Sequence, residues 1–234
     1  MKKLGIIGAM SIEVENLKMA MTDLKITQKA GMEFYEGKLE NLPAVVVQCG
    51  VGKVNAALCV QVLCDLFEVT HVVNTGVAGS LCNDLDIGDF VVSDDAMYHD
   101  FDCAPINPNY AIGQVPGLPV RTFKADDLLI KMAFEAAQSV SNAKIGRVAS
   151  GDQFVCNKDK KNKIIADTNA LCTEMEGAAI AHAAWRNGVP FVILRAISDK
   201  ADDSAEMDYP TFELIAAKRS TTVTQTMAKK LAEI

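Results

Sequence analysis

Short apolar runs alternate with stretches of helical spacing from one end of the chain to the other. Residues 4–8 form an apolar run of strand length, and Ala9-Met10-Ser11 leads from it into a helix with Glu13 and Glu15 in its first turn. Residues 33–39 and 44–48 read as two strands joined through the turn chemistry of Glu40-Asn41-Leu42-Pro43, a hairpin that makes the sheet mixed. Residues 54–67 have helical spacing, and the strand at 71–74 ends in Thr75-Gly76-Val77-Ala78-Gly79-Ser80, read as a small-residue loop. Further strands are predicted at 88–94, 144–149 and 190–197, and further helices at 125–141 and 177–187. Asn157 caps a helix running to about Thr168, and Asp208 caps a final helix reaching Leu231. Between 101 and 122 lie four of the seven prolines and no period, which predicts a long irregular loop of the functional kind. The alternation, without a linker or repeat, predicts an α/β fold over residues 1–234: a single three-layer domain with a mixed central β-sheet flanked by helices.

One stretch breaks the pattern. In Leu171-Cys172-Thr173-Glu174-Met175-Glu176-Gly177, two acids flank a methionine where an apolar strand should enter a helix. Strand alternation places Glu174 and Glu176 on one side and Met175 on the other. If Met175 faces the same cleft as the acids, the strand must end or bulge there.

Composition removes several classes of function. A formal net charge of −7 gives neither nucleic acid nor an anionic membrane a basic surface to meet. The lysines at 158, 160, 161 and 163 fit the wet face of a helix. Seven cysteines, odd in number and without a CxxC pair, match neither a disulfide framework nor a zinc site, and they imply a reducing cytoplasm. Lys2-Lys3 before an apolar run imitates a signal peptide, but Glu13 and Glu15 interrupt it, and no later stretch has the length of a membrane span. The glycines at 5 and 8 miss the dinucleotide fingerprint, and Val47 and Val54 stand where a phosphate-binding loop around Gly52-Lys53 would need glycine and Ser or Thr. Small residues there allow close approach to another backbone or a ligand. Tyr98-His99-Asp100 lacks a further ligand at metal spacing and is read as structural hydrogen bonding.

Four strand ends carry candidate chemistry: Glu13, the 76–80 loop, Glu174 with Glu176, and Asp199. On one sheet edge they would surround a cleft rich in carboxylates, suited to breaking a glycosidic bond with one acid on the leaving group and one base on water. A third loop, Ser150-Gly151-Asp152-Gln153-Phe154-Val155, adds an aromatic that either stacks on a base or plugs the core. Taken singly, Glu13 is also a helix first-turn acid and Asp199 also a turn residue.

Gly5-Ile6-Ile7-Gly8-Ala9-Met10, Asn74-Thr75-Gly76, Ala78-Gly79, Ser150-Gly151-Asp152, Glu174-Met175-Glu176 and Arg195-Ala196-Ile197-Ser198-Asp199 together resemble, in order and over nearly the whole chain, the 5'-methylthioadenosine/S-adenosylhomocysteine nucleosidases. The wider resemblance is to the purine nucleoside phosphorylase superfamily. The resemblance implies that Asp199 protonates adenine at N7, that Ser198 orients it, and that Glu13 activates water. It implies Glu176 on the ribose hydroxyls, Met175 on the sugar face, Glu174 in the supporting network and Phe154 stacked on adenine. The backbones of Val155 and Ala78-Gly79, with Ala9, Val77 and Tyr209, would complete the pocket. Val77 replaces a serine of many relatives, which bears on substrate preference. No metal or organic cofactor is implied. Relatives of this kind are homodimers, and Ile106, Tyr110 and Pro116 are the candidates for the loop that closes the partner's site.

Two rivals share these residues. A nucleoside phosphorylase would need cations for phosphate, whereas the chain sets Glu13 on the nucleophile side and few arginines near the loops. A nucleoside sensor would need a pocket but no acid and base. Within the hydrolase reading, the 5' substituent is open among methylthio, homocysteinyl, deoxy and the longer tail of aminodeoxyfutalosine.

Overall fold

The computed structural model describes residues 2–234, apart from the side chains of Glu206 and Met207. Ten strands form one mixed sheet. Its parallel centre is built from β1 (Leu4–Gly8), β4 (Leu42–Gln48), β5 (His71–Ser80) and β10 (Phe191–Asp199). These strands are apolar without alternation because helices cover both of their faces. The hairpin of β3 (Met32–Leu39) with β4 is antiparallel, as its turn residues require.

Beyond β3 lies β2 (Thr22–Lys29), which the hydrophobic pattern did not signal. Its residues are almost all exposed, Leu24 and Ile26 included, so no buried face exists to imprint a period of two. Lysines 25 and 29 suit such an edge.

On the other side, β6 (Phe90–Tyr98) pairs with β10, with β7 (Phe123–Lys124) and with β8 (Ala143–Ser150). The short β9 (Cys172–Glu174) links β8 to β5. Because β10 also pairs with β5, the strands β5, β10, β6, β8 and β9 close into a ring. The helices α1 (Ser11–Ala20), α3 (Asp127–Gln138) and α6 (Ala205–Ala232) pack together, as do α2 (Lys53–Phe67) and α5 (Gly177–Asn187) on the opposite side. The remaining helix, α4 (Lys158–Thr168), rests beside β8, with Asn157 capping it through the amides of Asp159 and Lys160.

Three expectations change. Residues 75–80 are not a loop but the second half of β5, paired with β10 as far as Gly79. Strand β6 likewise runs past residue 94 to Tyr98. The last helix starts at Ala205 rather than after Asp208, whose amide already donates to the Ser204 carbonyl at 3.0 Å. The stretch between 101 and 122 contains turns and neither helix nor strand.

Candidate active site

The parallel strands β1, β5 and β10, and β8, which runs antiparallel to β5 and β10 across the ring, lead into segments that together enclose a cleft of about 580 Å³, open to solvent. Ala9 and Met10 follow β1, and Glu13 projects from the first turn of α1. Val77, Ala78 and Gly79 come from β5, Phe154 and Val155 from the segment after β8, and Ser198 and Asp199 from β10. Glu174, Met175 and Glu176 line the same cleft, and Tyr209 of α6 closes it. Every residue singled out from the sequence for this site thus reaches one cavity, except Ile106, Tyr110 and Pro116. Those three lie in the irregular segment and do not line this chain's cleft.

Two carboxylates are held differently. Glu13 is buried and accepts three backbone N–H bonds: Ala9 at 2.6 Å and Met10 at 2.9 Å on Oε2, and Val77 at 3.1 Å on Oε1. Burial raises its pKa, with Arg195 and these amides opposing. Asp199 is also buried, accepting from the Ser198 hydroxyl at 2.9 Å and the Ala201 amide at 2.8 Å. Burial raises its pKa first, these two bonds oppose it, Asp208 and Asp202 add to the rise, and among the described residues no cation is paired with it. The pairing of β10 with β5 shifts register between Ile197 and Asp199, which turns the carboxylate off the strand's regular alternation.

The tripeptide that interrupted the pattern is where a strand leaves its sheet. β9 ends at Glu174, and Glu176 is already the N-cap of α5, so Met175 can share the cleft with both acids. Glu174 turns inward to the Ser150 hydroxyl, the Gly177 amide at 2.8 Å and Arg195. Burial pushes its pKa up, but Arg195 and these donors outweigh that and hold it below the ordinary value. Glu176 accepts from the Gly52 amide at 2.9 Å. Burial first, and the Glu174 charge second, push its pKa up to about 7 against the pull of Arg195.

Arg195 is the functional residue that sequence reasoning passed over. It is 1% exposed, sits among the nine buried residues of β10, and joins Glu174, Glu176 at 3.7 Å and the Asn74 side chain at 2.6 Å. An arginine inside Phe191-Val192-Ile193-Leu194-Arg195-Ala196-Ile197 was the available signal, since such a charge is buried only when paired. The expectation of few arginines near the loops stands beside this one buried arginine, which lies within β10 beneath the acids. It also explains Gly76, where any Cβ would collide with the Arg195 and Glu13 side chains that cross there.

The small residues at 50–52 do serve close approach, for Gly52 adopts φ 96° and directs its N–H at Glu176. Phe154 does not plug the core. It is half-exposed and meets Tyr209 edge-on, with ring centres 5.5 Å apart. Met10, Val51, Gln153 and Thr173 line the cleft without having been foreseen. The structural hydrogen bonding expected around His99 belongs to Asp100, which binds Lys53 at 2.7 Å, while His99 Nε2 has no partner. Among the described residues, no helix is long and apolar enough to cross a membrane.

The phosphorylase superfamily model matches residues 3–229 of this chain. A 5'-methylthioadenosine/S-adenosylhomocysteine nucleosidase of Oceanobacillus iheyensis is 37% identical over 97% of the chain and 99% of its own length. The crystal structure of the nucleosidase of that name from Neisseria meningitidis, in complex with methylthio-immucillin-A, superposes with a TM-score of 0.93 at 35% identity, covering 98% of this chain and all of that one. A futalosine hydrolase of Helicobacter pylori superposes with a TM-score of 0.92 at 32% identity, covering 100% of this chain and 98% of that one. The chain belongs to the phosphorylase superfamily and, within it, to the 5'-methylthioadenosine/S-adenosylhomocysteine nucleosidases.

Proposed function

We propose that this protein is an N-glycosyl hydrolase that cleaves the N-ribosidic bond of 5'-methylthioadenosine, S-adenosylhomocysteine and related 5'-substituted adenosines, releasing adenine. The observation that carries the reading is the unequal pair of buried carboxylates, Glu13 amide-held beside Arg195 and Asp199 desolvated without a cation, on the walls of one cleft. Asp199 serves as the acid, delivering a proton to N7 of the purine as the bond from C1' to N9 breaks and its electron pair moves into the base. Ser198 orients that carboxyl. Glu13 takes a proton from water as the water oxygen bonds to C1'. Glu176, set by Gly52 and Arg195, accepts from the ribose hydroxyls, Met175 covers the sugar face, and Glu174 holds Arg195 in place. Phe154 stacks on the base beside Val155, and Ala9, Val77, Ala78, Gly79 and Tyr209 complete the walls.

Hydrolysis is favoured over phosphorolysis because Arg195 is already committed to Glu174 and Glu176, leaving Glu13 to repel a phosphate nucleophile. The enzyme acts as a homodimer in the cytoplasm, within methionine salvage. Supporting the dimer are Val51, Val54 and Leu58 around the start of α2, exposed together with Ile106 at 82%. In it, the segment bearing Ile106, Tyr110 and Pro116 would close the neighbour's 5' end. The resemblance to the Helicobacter pylori futalosine hydrolase gives a second reading, in which the 5' tail is that of aminodeoxyfutalosine.

Chromatography of products from methylthioadenosine, S-adenosylhomocysteine, 5'-deoxyadenosine and aminodeoxyfutalosine, with and without phosphate, tests all of this. Adenine and a free sugar are expected, at a rate indifferent to phosphate. A sugar phosphate appearing in proportion to added phosphate would overturn hydrolysis.

A further inference from the structure

Thr173 is the middle residue of β9, paired with Gly79 on one side and with Ala149 on the other. It lines the cleft and is only 5% exposed, yet its hydroxyl has no hydrogen-bond partner. Valine has the same shape and a high strand propensity, and it would carry no such group. A buried hydroxyl left unmade is a cost, so this one is expected to acquire its partner when the cleft is filled.

The ladder decides which end of the ligand that is. Gly79, the residue opposite Thr173, lies so close to Asp199 that an added Cβ would stand 2.8 Å from its Oδ1. Glu13 crosses the same strand three residues earlier, at Gly76. Thr173 therefore belongs to the Asp199 end of the cleft, with Val155 and Phe154, and not to the Glu13 end. One staggered step of about 120° about χ1 carries a threonine hydroxyl into the position its methyl held while the methyl moves to the third well, and this is the step by which Oγ1 would reach the cleft surface.

We infer that Thr173 is a base-recognition residue, whose hydroxyl rotates on binding to hydrogen-bond the purine. This rests on the reading of Asp199 as the group that meets the base. Thr173 touches no reacting bond, so its effect falls on affinity and not on the chemical step.

The test compares Thr173→Val and Thr173→Ser with the wild type, using adenine binding by calorimetry, KM and kcat for methylthioadenosine, and the melting temperature without ligand. Thr173→Val is expected to weaken adenine binding and raise KM about fivefold with kcat nearly unchanged, while melting about 2 °C higher because the orphan hydroxyl is gone. Thr173→Ser should bind adenine like the wild type. Unchanged adenine affinity in Thr173→Val, or an equal loss in Thr173→Ser, would overturn the assignment. Wild-type protein that binds adenine without cleaving any of the nucleosides would refute the hydrolase reading alone, and the binding comparison would still decide Thr173.

Discussion

Arg195 and Glu174 lie against each other beneath the cleft, their side chains 1% and 3% exposed, and the same guanidinium reaches Glu176 at 3.7 Å. Two acids can crowd one sheet edge only because this cation lies under both. Replacing Arg195 by Met strands two buried carboxylates, and losing one partner of such a pair typically costs about 3–5 kcal/mol. In a chain of this size that corresponds to a melting temperature lower by about 6–20 °C. A calorimetric scan of Arg195→Met checks it, and a melting point within a degree or two of wild type would show that the ion pair is energetically idle.

Asp199→Asn removes the proton donor while keeping shape. Its adenine release should fall by about 10²–10⁴, the usual worth of general acid catalysis, with melting temperature maintained because a desolvated acid has been replaced by a neutral amide. Glu13→Gln should lose activity to a similar degree. Near-normal turnover in either variant, followed by adenine release, would remove that residue from the mechanism.

The pH dependence of stability follows from Glu176. Its proton is held to about pH 7 in the folded chain, against an ordinary value of 4.5. Between these limits the folded state binds more protons than the unfolded one, so its stability falls as pH rises from about 4.5 to 7, by about 2–4 kcal/mol from this group. Burial shifts Glu13 and Asp199 in the same direction. Glu174, held low, works oppositely, and its contribution is lost only below its ordinary value of 4.5. Burial lowers the pKa of His71, His99 and His182, which works oppositely in the same window, so the expected outcome is a difference: from pH 5 to 7.5 the ligand-free wild type should lose melting temperature relative to Glu176→Gln.

Ile106 is 82% exposed and Val54 72%. Changing both to Asp should leave the melting of the isolated chain within about 0.5 kcal/mol per site, as surface substitutions do. Sedimentation should then show dissociation, and KM should rise as the neighbour's loop is lost. A monomeric wild type of full activity would refute the dimer.

Local pattern was sufficient for most of the fold. Apolar runs of four to eight residues between helical stretches marked the buried strands, because parallel strands covered on both faces leave a strong signal. Edge strand β2 left none, since both of its faces meet water. Residues 75–80 looked like a loop because their side chains are small, yet the cause of that smallness lies elsewhere in the chain, in the Glu13 and Arg195 side chains that pass over Gly76.

The same division holds at the cleft. Residue type and order put Glu13, Glu174, Glu176 and Asp199 forward as candidates, because carboxylates at strand ends are costly unless something uses them, and the family resemblance added Met175 and Ser198. The chain by itself could not say that they meet, that Arg195 neutralises two of them, or that Asp199 is left without a cation. Those outcomes depend on which strands pair and where β10 shifts register against β5, and such long-range contacts are a property of the closed sheet and not of any local stretch of sequence.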